Sequence, residues 1–136
     1  MRIIIAGSRG FNDYKYLEKE CNKIFCELAQ QGYFPISFNE SRKVIEIISG
    51  TAKGVDQLGE RFAKEYKMPL KRMPANWDEF GKSAGYKRNE QMALYAKEDN
   101  GVLIAFWDEV SKGTKHMIDL ANKHGLKVFI VNYTDL

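Results

Sequence analysis

A three-layer α/β/α fold, built on an open sheet of about five mostly parallel strands in the order 3-2-1-4-5, is predicted for this chain. Short runs rich in Ile and Val recur along it, each too short for a helix and several continuous rather than alternating, which marks parallel strands buried on both faces. Between them lie helix-length segments, two of which carry a clear apolar stripe. The resulting β-α-β-α-β-α-β-α-β alternation implies right-handed crossovers. The 136 residues suffice for one domain, 1–136, and leave no room for a second core.

The first strand is expected over Arg2 to Ala6. Leu17, Cys21, Ile24 and Leu28 then repeat at i, i+4, i+7 and i+11, one face of a helix. The stretch Gly32 to Lys43, with Pro35, Asn39 and Ser41, reads as an extended connection or a small flap. Val44 to Ile48 is the second strand, and Val55, Leu58, Phe62 and Tyr66 repeat the helical spacing after it. Leu70 to Met73 is the third strand, Lys87 to Lys97 the third helix and Val102 to Phe106 the fourth strand. A fourth helix spans Thr114 to His124 and stops at Gly125, where a left-handed cap needs no side chain. Lys127 to Val131 is the fifth strand.

A net charge of +3 from 21 basic and 18 acidic residues is far from the dense Lys/Arg stripe of a nucleic-acid surface, so nucleic acid is not nominated as a partner. The first residues lead straight into a strand, without the apolar stretch of a secretory signal or a membrane span, which points to a cytoplasmic protein with no membrane partner. Cys21 and Cys26 stand at i and i+5 on one helix and diverge, unlike a metal or redox pair. His116 and His124 lack Cys or acidic partners at metal spacing, so no metal and no cofactor is expected.

In an open parallel sheet, ligands bind where strand-to-helix loops gather at the carboxyl ends of the strands. After the first strand comes Gly7-Ser8-Arg9-Gly10, whose glycines let the backbone approach a ligand while Ser8 and Arg9 donate to anionic oxygens. After the second comes Ser49-Gly50-Thr51-Ala52-Lys53-Gly54-Val55-Asp56, a small-residue loop opening into a helix, where exposed amides and the macrodipole make an anion cradle. It is not a P-loop, because Val55-Asp56 replaces the Lys-Ser/Thr pair. Asp56 either caps the helix or orients a ribose hydroxyl or a water.

Ala84-Gly85-Tyr86-Lys87-Arg88-Asn89-Glu90 puts cations at a helix start where the dipole prefers acids, a choice that local stability does not explain. Trp77 offers a stacking face for a base or an anchor for its own loop. The last loop, Trp107 to His116, brings Ser111, Gly113 and Thr114 to a helix entrance, with Thr114 as the expected N-cap. The ligand-binding set is therefore Gly7, Ser8, Arg9, Ser49, Gly50, Thr51, Lys53, Gly54, Asp56, Trp77, Arg88, Asn89, Ser111, Gly113 and Thr114.

These four loops, taken together and in this order, resemble the SLOG superfamily, most closely its small YspA/YpsA-like branch, and the resemblance runs through almost the whole chain. It implies a Rossmann-like fold, a nucleotide or ADP-ribose-like phosphorylated ligand to be sensed or processed, and a homo-oligomer, dimer or larger. The related LOG-type phosphoribohydrolases split the bond between base and ribose 5′-monophosphate with an Arg-Lys motif and a Gly-Gly-x-Gly-Thr-x-x-Glu motif. Arg88-Asn89 and Gly113-Thr114 correspond to these, but the position of the catalytic Glu is Met117 here. A hydrolase would need another carboxylate among Asp56, Asp78, Glu79 and Glu90, which leaves Arg88, Asp56 and Glu90 as candidate catalytic residues.

Three readings follow. The preferred one is a nucleotide-ligand binding protein acting as a sensor or sequestering module. The second is an N-glycosidic hydrolase of a nucleotide-like substrate, in which a carboxylate stabilises charge on the ribose. The third is a single-stranded nucleic-acid-binding module, since the DNA-processing protein DprA is similar at the level of the superfamily; the near-balanced charge argues against it.

Overall fold

Both faces of the apolar runs are covered, and the side chains of a strand divide between them. Ile3 and Ile5 of the first strand enter one core with Leu17, Cys21 and Phe62, while Ile4 and Ala6 enter a second with Met92, Ala93 and Met117. Ile3, Ile4 and Ile5 are all fully buried, each worth about 1.5–3 kcal/mol of transfer from water. The computed structural model describes residues 1–133. It contains strands β1 (Arg2–Gly7), β2 (Glu46–Ser49), β3 (Leu70–Arg72), β4 (Val102–Trp107) and β5 (Lys127–Asn132). They form one five-stranded sheet in the order β3-β2-β1-β4-β5, every pairing parallel.

Helices α1 (Tyr14–Gln30) and α3 (Val55–Glu65) cover the first face. Asp13 starts α1 by accepting from the Tyr16 amide at 3.1 Å. Helices α5 (Ala84–Lys97) and α6 (Lys112–Lys123) cover the second face. After α6, Gly125 at φ +76° closes a Schellman turn, with Leu126 N–H on Ala121 O and Gly125 N–H on Asn122 O.

Several expectations require correction. The segment Gly32 to Lys43 is not wholly irregular: α2 (Phe38–Val44) occupies its end, with Glu40 in its first turn and Arg42 and Lys43 in its last, as the dipole favours. Val44 therefore ends a helix, half-exposed, and the second strand begins at Glu46, whose amide bonds to Met1 O at 2.9 Å. Trp77 opens a short helix, α4 (Trp77–Phe80), capped by Asn76, which accepts from the Glu79 amide. A 3₁₀ turn, Gly81–Ser83, feeds directly into α5, so α5 starts at Ala84 and not at Lys87. Ser111, not Thr114, is the N-cap of α6: its side chain accepts from the Thr114 amide. Among the described residues no helix is long and apolar enough to cross a membrane.

Candidate functional site

The strand order reverses between β1 and β4, whose following helices lie on opposite faces of the sheet, and a cleft of about 270 Å³ opens at their carboxyl ends. Ala6 and Gly7 of β1 line it with Arg9, and Ala52 and Asp56 reach it from the β2–α3 loop and α3. Trp77 and Lys82 come from α4 and the 3₁₀ turn, and Gly85, Tyr86, Arg88, Asn89 and Met92 from α5. Ser111, Gly113, Thr114 and Met117 complete it from the start of α6.

Asp56 is the one carboxylate among the described lining residues, against three cations, Arg9, Lys82 and Arg88. Its side chain is buried, and burial pushes its pKa up to about 6. The Ala52 amide, donating to Oδ2 at 3.1 Å, the Arg88 guanidinium and the Gly7 amide favour the charged form; Glu60 opposes it with them outweighed. Arg88 is itself held below the ordinary guanidinium value by burial first and by Arg9 next, with Asp56 acting the other way. It remains charged at neutral pH.

Arg88 is fixed in place by hydrogen bonds. Its Nη1 donates to the Gly50 carbonyl, and its Nε donates to Asn89 Oδ1 at 3.0 Å. That contact turns the Asn89 amide so that Nδ2 donates to Gly113 O at 3.4 Å and faces His116 Nδ1 at 3.2 Å. His116 accepts there as the neutral ring, its pKa lowered chiefly by burial, and packs on Tyr86 with ring centres 4.3 Å apart. One chain of contacts thus links the β2–α3 loop, α5 and α6 behind the cleft.

The β2–α3 loop differs from the open cradle expected of it. Its Thr51 amide donates to Ser49 Oγ at 3.0 Å, its Ala52 amide is taken by Asp56, and the Val55 amide bonds to Ser8 O at 3.4 Å. Thr51 sits at φ +66°, an unusual conformation for a β-branched residue, held by this bonding. Ser49 Oγ in turn donates to Glu60 at 2.7 Å, and Glu60 pairs with Arg72 at 3.2 Å. Small residues are needed for closeness: a Cβ on Gly50 would lie 2.8 Å from Asp56 Oδ2, and Gly54, at φ +82°, lies against the Ser8 and Arg9 carbonyls. The loop is a scaffold for Asp56 and Arg88 more than a donor of free amides.

The starts of α5 and α6 differ from this loop in composition, although the Ala84 amide is taken by Gly81 O and the Thr114 amide by Ser111 Oγ. Neither has an acidic residue in its first turn, and each has glycine two residues after its N-cap, Gly85 after Ser83 and Gly113 after Ser111. Neither glycine has positive φ; a Cβ at Gly85 would meet Trp77 at an ordinary 3.5 Å, and one at Gly113 would meet nothing within 4 Å. The fold does not require these glycines, and each costs up to about 1 kcal/mol relative to alanine. Gly113→Ala and Gly85→Ala are therefore expected to raise stability by a few tenths to about 1 kcal/mol in urea unfolding while weakening ligand binding at the cleft. Equal binding by the variants in calorimetry would remove this reason for glycine.

Of the sequence-derived set, the cleft brings together Gly7, Arg9 and Asp56, then Trp77, Arg88 and Asn89, then Ser111, Gly113 and Thr114. Gly50 lies directly behind, bonded to Arg88. Ser49 and Thr51 brace the loop, and Gly54 packs against the β1–α1 loop. Ser8 is buried beside Asp108 and Tyr133, its amide on Phe106 O at 3.2 Å, and does not line the cleft. Lys53 is exposed outside it, and so is Glu90. Asp78 and Glu79 lie on α4 and do not line the cleft. Lys82, Gly85 and Tyr86 line the cleft outside the sequence-derived set, although Gly85 and Tyr86 sit in the motif that carries Arg88; the 3₁₀ turn brings Lys82 round.

The fold is similar to that in the X-ray structure of DNA processing protein A (DprA) from Streptococcus pneumoniae, with a TM-score of 0.66 and 18% identity. The likeness covers 100% of this chain and 51% of that one, so the chain spans about half the length of that solved structure. No family model matches the chain, and no curated protein matches it. At this level of identity, the likeness establishes a shared Rossmann-like α/β architecture.

Proposed function

We propose that the protein binds a nucleotide or nucleotide-derived, ADP-ribose-like phosphorylated ligand in this cleft, as a sensor or sequestering protein of the SLOG type. The observation that carries the reading is the convergence of two helix starts free of acidic residues with Arg9, Lys82 and Arg88 on one concavity that holds a single carboxylate among the described residues. Anionic oxygens fit the cations and the helix starts, and the apolar contributions of Ala6, Met92 and Met117 suit a sugar or base. Native mass spectrometry of the purified protein, followed by calorimetry with a nucleotide panel, tests it. Saturable binding that weakens with added salt is expected; absence of binding by every phosphorylated member counts against it.

Hydrolysis has less support. Met117, at the position of the hydrolase Glu, is buried in the cleft lining, and among the described residues Asp56 is the one carboxyl there to act as acid or base. Incubation of the same panel with fresh protein is expected to release no free base. The likeness to DNA processing protein A favours a second reading, binding of single-stranded nucleic acid. Its net charge of +3 and a cleft sized for one small molecule weigh against it, and affinity for an oligonucleotide far below that for a mononucleotide is expected.

A further inference from the structure

Asp56 and Arg88 converge on one point of the cleft wall. A Cβ on Gly50 would lie 2.8 Å from Asp56 Oδ2 and 2.9 Å from Arg88 Nη1, so the missing side chain is what lets carboxylate and guanidinium meet there. Each is held by other partners: Oδ2 accepts from the Ala52 amide, while Nη1 donates to the Gly50 carbonyl and Nε to Asn89. Arg88 Nη2, on the Gly85 side, is left for an incoming anion. That anion would stand near the Asp56 carboxylate, which is 5% exposed and therefore poorly screened by water. Like charges so placed favour protonation of the carboxylate.

The other charged and titratable groups around Asp56 come from each neighbouring element. Glu60, on α3 itself, is engaged by Ser49 and Arg72. Arg9 of the β1–α1 loop, Lys82 of the 3₁₀ turn and Tyr86 of α5 line the cleft, and His116 of α6 stands behind Asn89 as the neutral ring. Among the described lining residues, Asp56 is the group whose charge opposes an anion.

We propose that anion binding in this cleft is coupled to proton uptake by Asp56, so that the site is regulated by pH, tight with the carboxyl neutral and weak with it ionised; this rests on the anion-binding reading above. Burial places the free carboxyl at about 6, and an anion on Arg88 offsets the cation that lowers it, which raises it further. Affinity is therefore full below about 6 and falls as pH rises towards the higher value of the bound form.

Calorimetry with inorganic sulfate, which stays a dianion throughout, tests the coupling at pH 5.5 and pH 8; at pH 7, buffers of different ionisation enthalpy count the protons. Wild-type protein is expected to bind sulfate at least about fivefold more tightly at pH 5.5 than at pH 8, with uptake of roughly half a proton or more per sulfate at pH 7. Asp56→Asn, whose amide oxygen can still accept from Ala52, is expected to bind at pH 8 within about twofold of wild type at pH 5.5 and to take up no proton at pH 7. His116→Gln is expected to keep the wild-type profile. The ratio of wild type to Asp56→Asn with adenosine 5′-monophosphate, in which the ligand's own titration cancels, should show the same trend. Wild-type affinity independent of pH, an unchanged profile in Asp56→Asn, or its loss in His116→Gln overturns the coupling and leaves the anion site standing. Binding of neither ligand by the wild type overturns the anion reading and the coupling with it.

Discussion

Arg88→Ala is expected to weaken binding of adenosine 5′-monophosphate by more than about tenfold, because it removes a charge-assisted hydrogen bond worth roughly 1.5–3 kcal/mol. The same change acts on the fold. It releases the Gly50 carbonyl and the Asn89 side chain and leaves Asp56 buried without its nearby cation. Leaving buried polar partners unpaired costs about 1–3 kcal/mol, and for a half-buried Arg88 about 2 kcal/mol is the expected loss of unfolding free energy at pH 8. At pH 5, where Asp56 is protonated, the loss should shrink. Urea unfolding at both pH values measures the second effect and calorimetry the first. Arg88→Lys keeps the charge but not the fork that reaches Gly50 and Asn89 together, so it should recover stability only in part. A folded Arg88→Ala protein with unaltered affinity would remove Arg88 from the site.

The second large effect is the pH dependence set by Asp56. Its pKa in the fold, about 6, stands above the ordinary 3.8, so the folded chain holds this proton more tightly than the unfolded chain. Stability from Asp56 is therefore greatest below the unfolded value and is lost as pH rises through about 6. Asp56→Asn abolishes that titration. Relative to wild type, the variant should gain roughly 2.4 kcal/mol between pH 4 and pH 8, most of the equivalent of the rise from 3.8 to about 6. Urea titrations of both proteins across that range give the difference directly. A variant that instead loses ground as pH rises would mean that Arg88 dominates burial at this carboxylate.

The parallel pairing is legible in the chain because continuous Ile and Val runs demand cover on both faces, and Ile3, Ile4 and Ile5 receive it from two different cores. The start of α6 at Gly113 is legible for an electrostatic reason, since no acid stands where one would stabilise it locally, whereas α5 starts at Ala84 and carries Arg88 in its second turn. Other features depend on tertiary contacts that no local pattern reveals. Ser8 looks like a ligand donor by its place after β1, yet the approach of Phe106 and Tyr133 buries it. The amides of Thr51 and Ala52 look free until Ser49 and Asp56 turn back onto them. Val44 reads as strand by its branching, but charges well placed for a helix dipole precede it and helix wins. Lys82 is invisible as a site residue because a short 3₁₀ turn, without periodicity of its own, carries it to the cleft.

An amide ¹H–¹⁵N correlation spectrum recorded during titration with adenosine 5′-monophosphate reports on every wall of the cleft at once. Saturable shifts are expected at Arg9, Gly85, Tyr86, Arg88, Gly113 and Thr114, with the residues of α1 and α2 unmoved. Shifts confined to surfaces away from the carboxyl ends of β1 and β4, or none at millimolar nucleotide, would contradict the assignment of this cleft as a phosphate-ligand site.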